Sequence, residues 1–254
     1  MATYKKRGAK KSVTKAEVGE NQTDSTTAEV FETLDTSASK AEEFVAKYQN
    51  VILIIIGVVT VGVLGSLGYQ SFVVEPTFKE AVGELNQAQY YFNLAVNGQD
   101  SDSLYARSIR GGEGKYGFKD IIENYSGTPA SDLASFSAGM AYLNMKDFNM
   151  AIEYLKDFSS NDILLSAIAN GSIGDAYLQL EQEDDALDYY IKAIKASEND
   201  YTTPKYLFKA GLLSSILEKN SQALSFFKRI KDEYPNSTEA AQVDIQIGRL
   251  ENLK

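Results

Sequence analysis

The 254-residue sequence contains no histidine, no cysteine and no tryptophan. Without His or Cys there is no Ser-His-Asp or Cys-His nucleophile, no imidazole or thiolate metal site and no disulfide framework. There is also no cysteine to carry a lipid, and only an all-carboxylate site for a hard cation stays open. Residues beyond position 74 are poor in positive charge, with 17 basic against 27 acidic residues. Affinity for phosphate backbones needs clustered Lys and Arg, so no nucleic-acid partner is expected. Long alternating apolar and polar runs are missing as well, which argues against half-buried strands.

What is present begins with a basic N-terminus. Lys5, Lys6, Arg7, Lys10, Lys11 and Lys15 are not balanced by any acid within the first fifteen residues, and residues 16–50 then carry eight acids against two lysines. Residues 1–38 hold only two bulky apolar side chains, Phe31 and Leu34. That is too little burial to offset the entropy of ordering, and the reading is a disordered tail. Ser39-Lys-Ala-Glu42 is a capping-box pattern, followed by Phe44, Tyr48 and Val51 at helical spacing, so a helix is expected to start near residue 40.

Val51 to Val74 reads VILIIIGVVTVGVLGSLGYQSFVV, without a charge. As a helix this run reaches roughly 36 Å, enough to cross a hydrocarbon core of about 30 Å. Its β-branched residues do not make it a strand, because lipid leaves an isolated span no option but helix. Tyr48, Tyr69 and Phe72 stand where interfacial aromatics belong. A cleaved signal peptide would have a short basic segment before the apolar run and a small-x-small site after it, and this sequence offers neither. Residues 39–75 are therefore read as a membrane anchor. Lys40, Lys47 and the basic N-terminus precede the span and only Lys79 follows closely, so the positive-inside rule expects the N-terminus in the cytoplasm and residues 76–254 across the membrane. Gly62, Gly65 and Ser66 form a small-residue face suited to another transmembrane helix.

Beyond the span the sequence repeats. Gly139-x-x-Tyr142 is followed by Ala151, Gly174-x-x-Tyr177 by Ala186, Tyr190 and Ala193, and Gly211 by Ala223, Phe227, Ile230 and Pro235. This pattern resembles the tetratricopeptide repeat (TPR). Its small residues let the first and second helix of a repeat approach, while its large residues fill the space between repeats. The departures are no Trp in the first helix, Ser214 where a Tyr belongs, Leu155 and Phe158 at the aromatic and small positions, and Pro only in the last repeat. The fold class is all-α: a single N-terminal transmembrane helix, then a TPR-like α-solenoid of about four degenerate repeats with a C-terminal capping helix. Helices are expected near 77–96, 115–125, 130–144, 147–157, 162–180, 183–197, 204–218, 221–233 and 238–252. Thr128-Pro129, Thr203-Pro204 and Asn236-Ser237-Thr238-Glu239 are the start signals.

GGEGKYGF, residues 111–118, looks like a phosphate loop but lacks the G-x-x-x-x-G-K-[ST] spacing and a preceding strand. Aligned with 223–238, it reads as the entrance to the second helix of the first repeat. Gly114 then falls at the helix crossing, and residues 97–111 are an insertion containing Arg107 and Arg110. No cofactor is expected.

By the TPR resemblance, the first helices line a concave groove. Its candidate residues are Leu133, Phe136, Met140, Leu143 and Asn144, then Ile168, Gly171, Asp175, Leu178 and Gln179, then Lys205, Phe208, Leu212, Ser215 and Ile216. This mostly apolar set suits an amphipathic helix or an unfolded hydrophobic segment, and it equally suits core buried by tight curling. In layout the whole chain resembles the YfgM-like family, ancillary subunits of the bacterial Sec translocon. That resemblance implies an inner-membrane protein beside SecYEG and a PpiD-type periplasmic chaperone-isomerase, assisting handover of unfolded secreted proteins. The alternative is a scaffold of another envelope machine, in cell division or outer-membrane assembly. An enzyme is the least favoured reading, since no convergent catalytic set is found.

Overall fold

The computed structural model describes residues 26–98 and 101–252, with side chains from Glu42 onward. The chain divides into two units, Met1–Ser66 and Leu67–Lys254. Helix α1 covers Thr26–Tyr69. It thus begins upstream of the expected start near residue 40, and residues 26–38, expected to be disordered, are helical. Extending an existing helix costs far less than nucleating one, and Thr26–Lys40 contains neither Gly nor Pro to stop it. The rest of the expected disordered tail lies outside the described residues. In the apolar run nearly every side chain is exposed, and the helical stretch Glu42–Asn97 contains a window long and apolar enough to cross a membrane.

In the second unit a single π-helical turn, Gln70–Val74, precedes α2 (Glu75–Asn97). Pro76 explains it. A proline inside a helix has no N–H and its ring crowds the carbonyl four residues back, here that of Phe72. A widened turn relieves the crowding, and the Glu75 N–H accordingly donates to Gln70 O, five residues back.

Nine more helices follow among the described residues: α3 (Ser101–Arg110), α4 (Phe118–Asn124), α5 (Pro129–Asn144), α6 (Phe148–Asp157), α7 (Ile163–Gln179), α8 (Glu183–Ala196), α9 (Thr203–Ile216), α10 (Asn220–Glu233) and α11 (Ala240–Glu251). From α5 onward each helix packs against the next, as an α-solenoid requires. The starts are chemically marked. Thr128 Oγ1 accepts from the Ser131 N–H, Asp147 from Met150, Asp162 from both Leu164 and Leu165, and Ser237 from Ala240. Such caps each contribute about 1 kcal/mol. Thr203 differs from expectation. It is the first helical residue, and its hydroxyl donates back to Ser197 O while accepting from the Asn199 N–H.

The joints repeat as the helices do. Lys146, Glu181 and Glu218 all have positive φ, at 62°, 58° and 57°. In each, the next residue's N–H reaches back five residues: Asp147 to Tyr142, Gln182 to Tyr177 and Lys219 to Ser214. This left-handed closure satisfies carbonyls that the first helix leaves open and turns the chain into the second helix.

Within the 97–111 insertion, Ser101–Arg110 form a helix. Helix α3 packs along α2, burying Tyr105, Ser108 and Ile109, with Phe92 edge-on to Tyr105. Residues 112–115 form a tight turn in which Gly112 and Lys115 exchange two backbone hydrogen bonds, of 3.2 and 3.1 Å. Both central residues, Glu113 and Gly114, have positive φ, the requirement of a type I′ hairpin turn. Gly114 is exposed, with open space around its Cα, so it does not sit at a helix crossing as the alignment suggested. A residue at φ +74° cannot continue a helix, and α4 starts only at Phe118. The insertion's Arg107 pairs with Glu113 and stacks 4.3 Å from the Tyr91 ring centroid.

Candidate protein-interaction surface

Each of the last three repeats is held by a glycine on its first helix facing a bulky residue on its second. A methyl added to Gly139 would stand 2.5 Å from Leu155 Cγ, one on Gly174 2.7 Å from the Tyr190 ring, and one on Gly211 2.6 Å from Phe227. Ala151, Ala186 and Ala223 on the second helices are fully buried, completing the close approach.

The structure divides the candidate groove residues in two. Phe136, Met140 and Leu143 are half-buried against the cluster of Ile152, Leu155, Ala169, Ile173 and Ala176, and Phe136 lies 5.2 Å from Phe158, ring to ring. Phe208 and Leu212 pack on the C-terminal cluster, with Phe208 edge-on to Phe227 at 5.8 Å. Leu133 packs on the N-terminal cluster and lines a cleft of about 440 Å³ with Asp132, Phe158 and Leu165. Ile168 is half-buried, and Gly171 is buried with the Tyr206 ring against it. Ser215 is half-buried, while Asn144, Leu178, Gln179, Lys205 and Ile216 are exposed. Ile216 keeps 69% of its surface.

Asp175 is not a free acid. Its carboxylate accepts from Tyr190 Oη at 2.7 Å and from Lys209 Nζ at 2.6 Å, joining α7, α8 and α9. Burial first, and then the Asp175 charge, hold the Tyr190 and Tyr206 hydroxyls well above the ordinary tyrosine range, so both stay protonated. The sequence reading placed Asp175 in the groove but did not identify Lys209, one helical turn beyond Lys205, as its partner.

In the span, Gly62, Gly65 and Ser66 are exposed, and nothing crowds the two glycine Cα atoms. Among the described residues no three carboxylates come together as a cation site would need.

A family model of the tetratricopeptide repeat matches residues 134–159 and 167–200, the helices that carry the Gly139 and Gly174 contacts. A solved structure titled "Crystal structure of MamA protein" is 21% identical, with a TM-score of 0.47, over 65% of this chain and 81% of that one. No curated protein matches. Residues 134–159 and 167–200 are tetratricopeptide-type repeats, and the regular elements among the described residues are helices, a long apolar N-terminal one followed by TPR-type repeats. Repeats of this kind are typically non-enzymatic scaffolds that present surfaces to other proteins, and the domain's role is protein interaction.

Proposed function

We propose that the protein is a non-enzymatic, single-pass adaptor of the bacterial inner membrane. Its N-terminus lies in the cytoplasm and its repeat domain in the periplasm, beside SecYEG and a PpiD-type chaperone-isomerase, where it helps hand over secreted proteins. The observation that carries this reading is the joining, in one chain, of an uncharged 24-residue run flanked by basic residues on its N-terminal side to a TPR-type array. An adaptor of this layout tethers its interaction surface to the bilayer that an emerging polypeptide crosses. The exposed Leu178 and Ile216 on the first helices supply apolar contacts for such a chain, and the small-residue face at Gly62, Gly65 and Ser66 supplies a docking surface for a membrane partner.

Gentle detergent extraction of the full chain from its native cells, followed by mass spectrometry, tests the partners: SecYEG and the isomerase should co-purify, and their absence would overturn the translocon reading. Protease protection of spheroplasts tests orientation. The repeat domain should be cleaved from outside, and protection of that domain would reverse the assigned topology.

A further inference from the structure

One cluster of side chains lies outside the first-helix groove. Lys156 on α6 and Lys192 on α8 both belong to the second helices of their repeats. Their ammonium groups converge on one ring: Lys192 Nζ lies 3.8 Å and Lys156 Nζ 5.6 Å from the Tyr189 centroid. Lys156 also donates to Tyr177 Oη at 2.7 Å.

Lys209, Lys219, Lys228, Arg229 and Lys231 all pair with carboxylates. Among the described residues, neither Lys156 nor Lys192 lies within 4 Å of one, a state shared by Arg110, Lys115, Lys119, Lys146, Lys195, Lys205 and Arg249. The pair differs in meeting at one ring with both members unpaired, whereas at the Tyr206 ring Lys209 is paired with Asp175. Two exposed like charges thus meet at a single aromatic ring with no carboxylate within 4 Å among the described residues, in a region where acids outnumber bases. The hydrogen bond to Tyr177 raises the Lys156 pKa, so the site stays cationic.

Beside them a cleft of about 190 Å³ opens between α6, α7 and α8. Leu155, Phe158, Ala169 and Ile173 line it with apolar surface, and Ser166 and Asn170 add polar atoms. At about 30 Å³ per water, the space suits one or two side chains. It is too small for a nucleotide, and it lacks the planar guanidinium fork that favours phosphate.

We propose that this cleft binds an acidic peptide segment of a partner protein, with a carboxylate bridging Lys156 and Lys192 and a neighbouring apolar side chain entering between α6, α7 and α8. The surrounding acids repel extended polyanions, so the recognised motif is one or two acids beside a hydrophobic residue, and binding weakens with salt. The site is separate from the first-helix groove and does not depend on the translocon reading.

The test uses the full chain in detergent micelles and a fluorophore-labelled peptide, acetyl-Gly-Glu-Leu-Phe-Glu-Gly, followed by anisotropy. Saturable binding is expected. It should weaken about tenfold or more in K156Q/K192Q and measurably in Lys192→Gln alone, while Lys195→Gln leaves it unchanged. Circular dichroism checks that the variants keep their helices, and Lys192→Gln removes no hydrogen bond if Lys156→Gln proves disruptive. A peptide with Lys in place of Glu should not bind, and inorganic phosphate should not compete. The proposal is overturned by lack of saturable binding, by equal affinity in folded K192Q and wild-type chains, or by phosphate displacing the peptide as well as unlabelled peptide does.

Discussion

The Tyr206 ring occupies the space in which Gly171 would otherwise carry a side chain. These residues sit on α7 and α9, the first helices of successive repeats, so the absence of one side chain sets how closely the repeats stack. Gly171→Ala should destabilise the domain by about 1–3 kcal/mol despite alanine's better helix propensity, because the ring would have to move. Urea unfolding measures this. Combining it with Tyr206→Leu should cost less than the two single changes added together, and strict additivity would sever the link between the residues.

Phe136 and Phe208 distinguish core from surface within the groove set. Each packs on a buried cluster, so an Asp at either position should cost about 3 kcal/mol or more and reduce helicity. Ile216→Asp, at an exposed position, should stay within about 0.5 kcal/mol of wild type. Thermal melts followed by circular dichroism decide, and an unchanged melt for Phe136→Asp would return that residue to the free surface.

Ser214 occupies the place where the other two glycine-marked repeats carry Tyr142 and Tyr177, and its buried Oγ has no hydrogen-bond partner among the described residues. A buried hydroxyl without a partner keeps its desolvation penalty. Ser214→Ala should therefore be neutral to stabilising, by about 1 kcal/mol. A loss of stability in denaturant would mean that the hydroxyl is satisfied in solution.

Tyr190 and Tyr206 predict an alkaline limit. Burial raises both above the ordinary value of 10, so ionisation is disfavoured in the folded state. Their stabilising effect is fully present below pH 10 and falls as pH rises towards the folded values, because the unfolded chain loses these protons first. Phenolate absorbance should show at least two of the 16 tyrosines, Tyr190 and Tyr206, titrating only with unfolding. If all of them titrated normally while the helices persisted, the burial described for this pair would not hold in solution.

The 112–115 turn separates two glycines that look alike in sequence. Gly111 and Gly114 both have positive φ, but a methyl on Gly111 would run into the backbone of Lys115 and Gly117, whereas Gly114 faces open space. Gly114→Ala should cost about 1–2 kcal/mol through its dihedral alone, and Gly111→Ala clearly more. Equal melting points would refute this placement.

Much of the fold is legible because close helix packing needs small residues at fixed intervals. Gly139, Gly174 and Gly211 with their alanines located the crossings, and Thr128-Pro129 marked a helix start. Helix α3 was hidden because Ser101–Arg110 buries only Tyr105, Ser108 and Ile109, too few apolar positions for a clear period in ten residues. Gly114 was misplaced because alignment extended a helix through a stretch whose glycines close a hairpin. Residue type gives no warning of the left-handed joints, where Lys146, Glu181 and Glu218 stand in place of glycine. The lysine pair at Tyr189 was equally invisible, because it joins helices from two repeats and has no local spacing.

The three buried clusters of the domain are unequal. The N-terminal and C-terminal ones hold 13 and 16 buried apolar residues, and the middle one, around Leu155 and Ile173, holds five. Local opening costs least where least apolar surface is lost, so hydrogen exchange should be faster at the middle cluster than at the two ends. Such opening should concentrate between α6 and α7, at the cleft beside Lys156, so that whatever seats there would also slow exchange in the middle of the array.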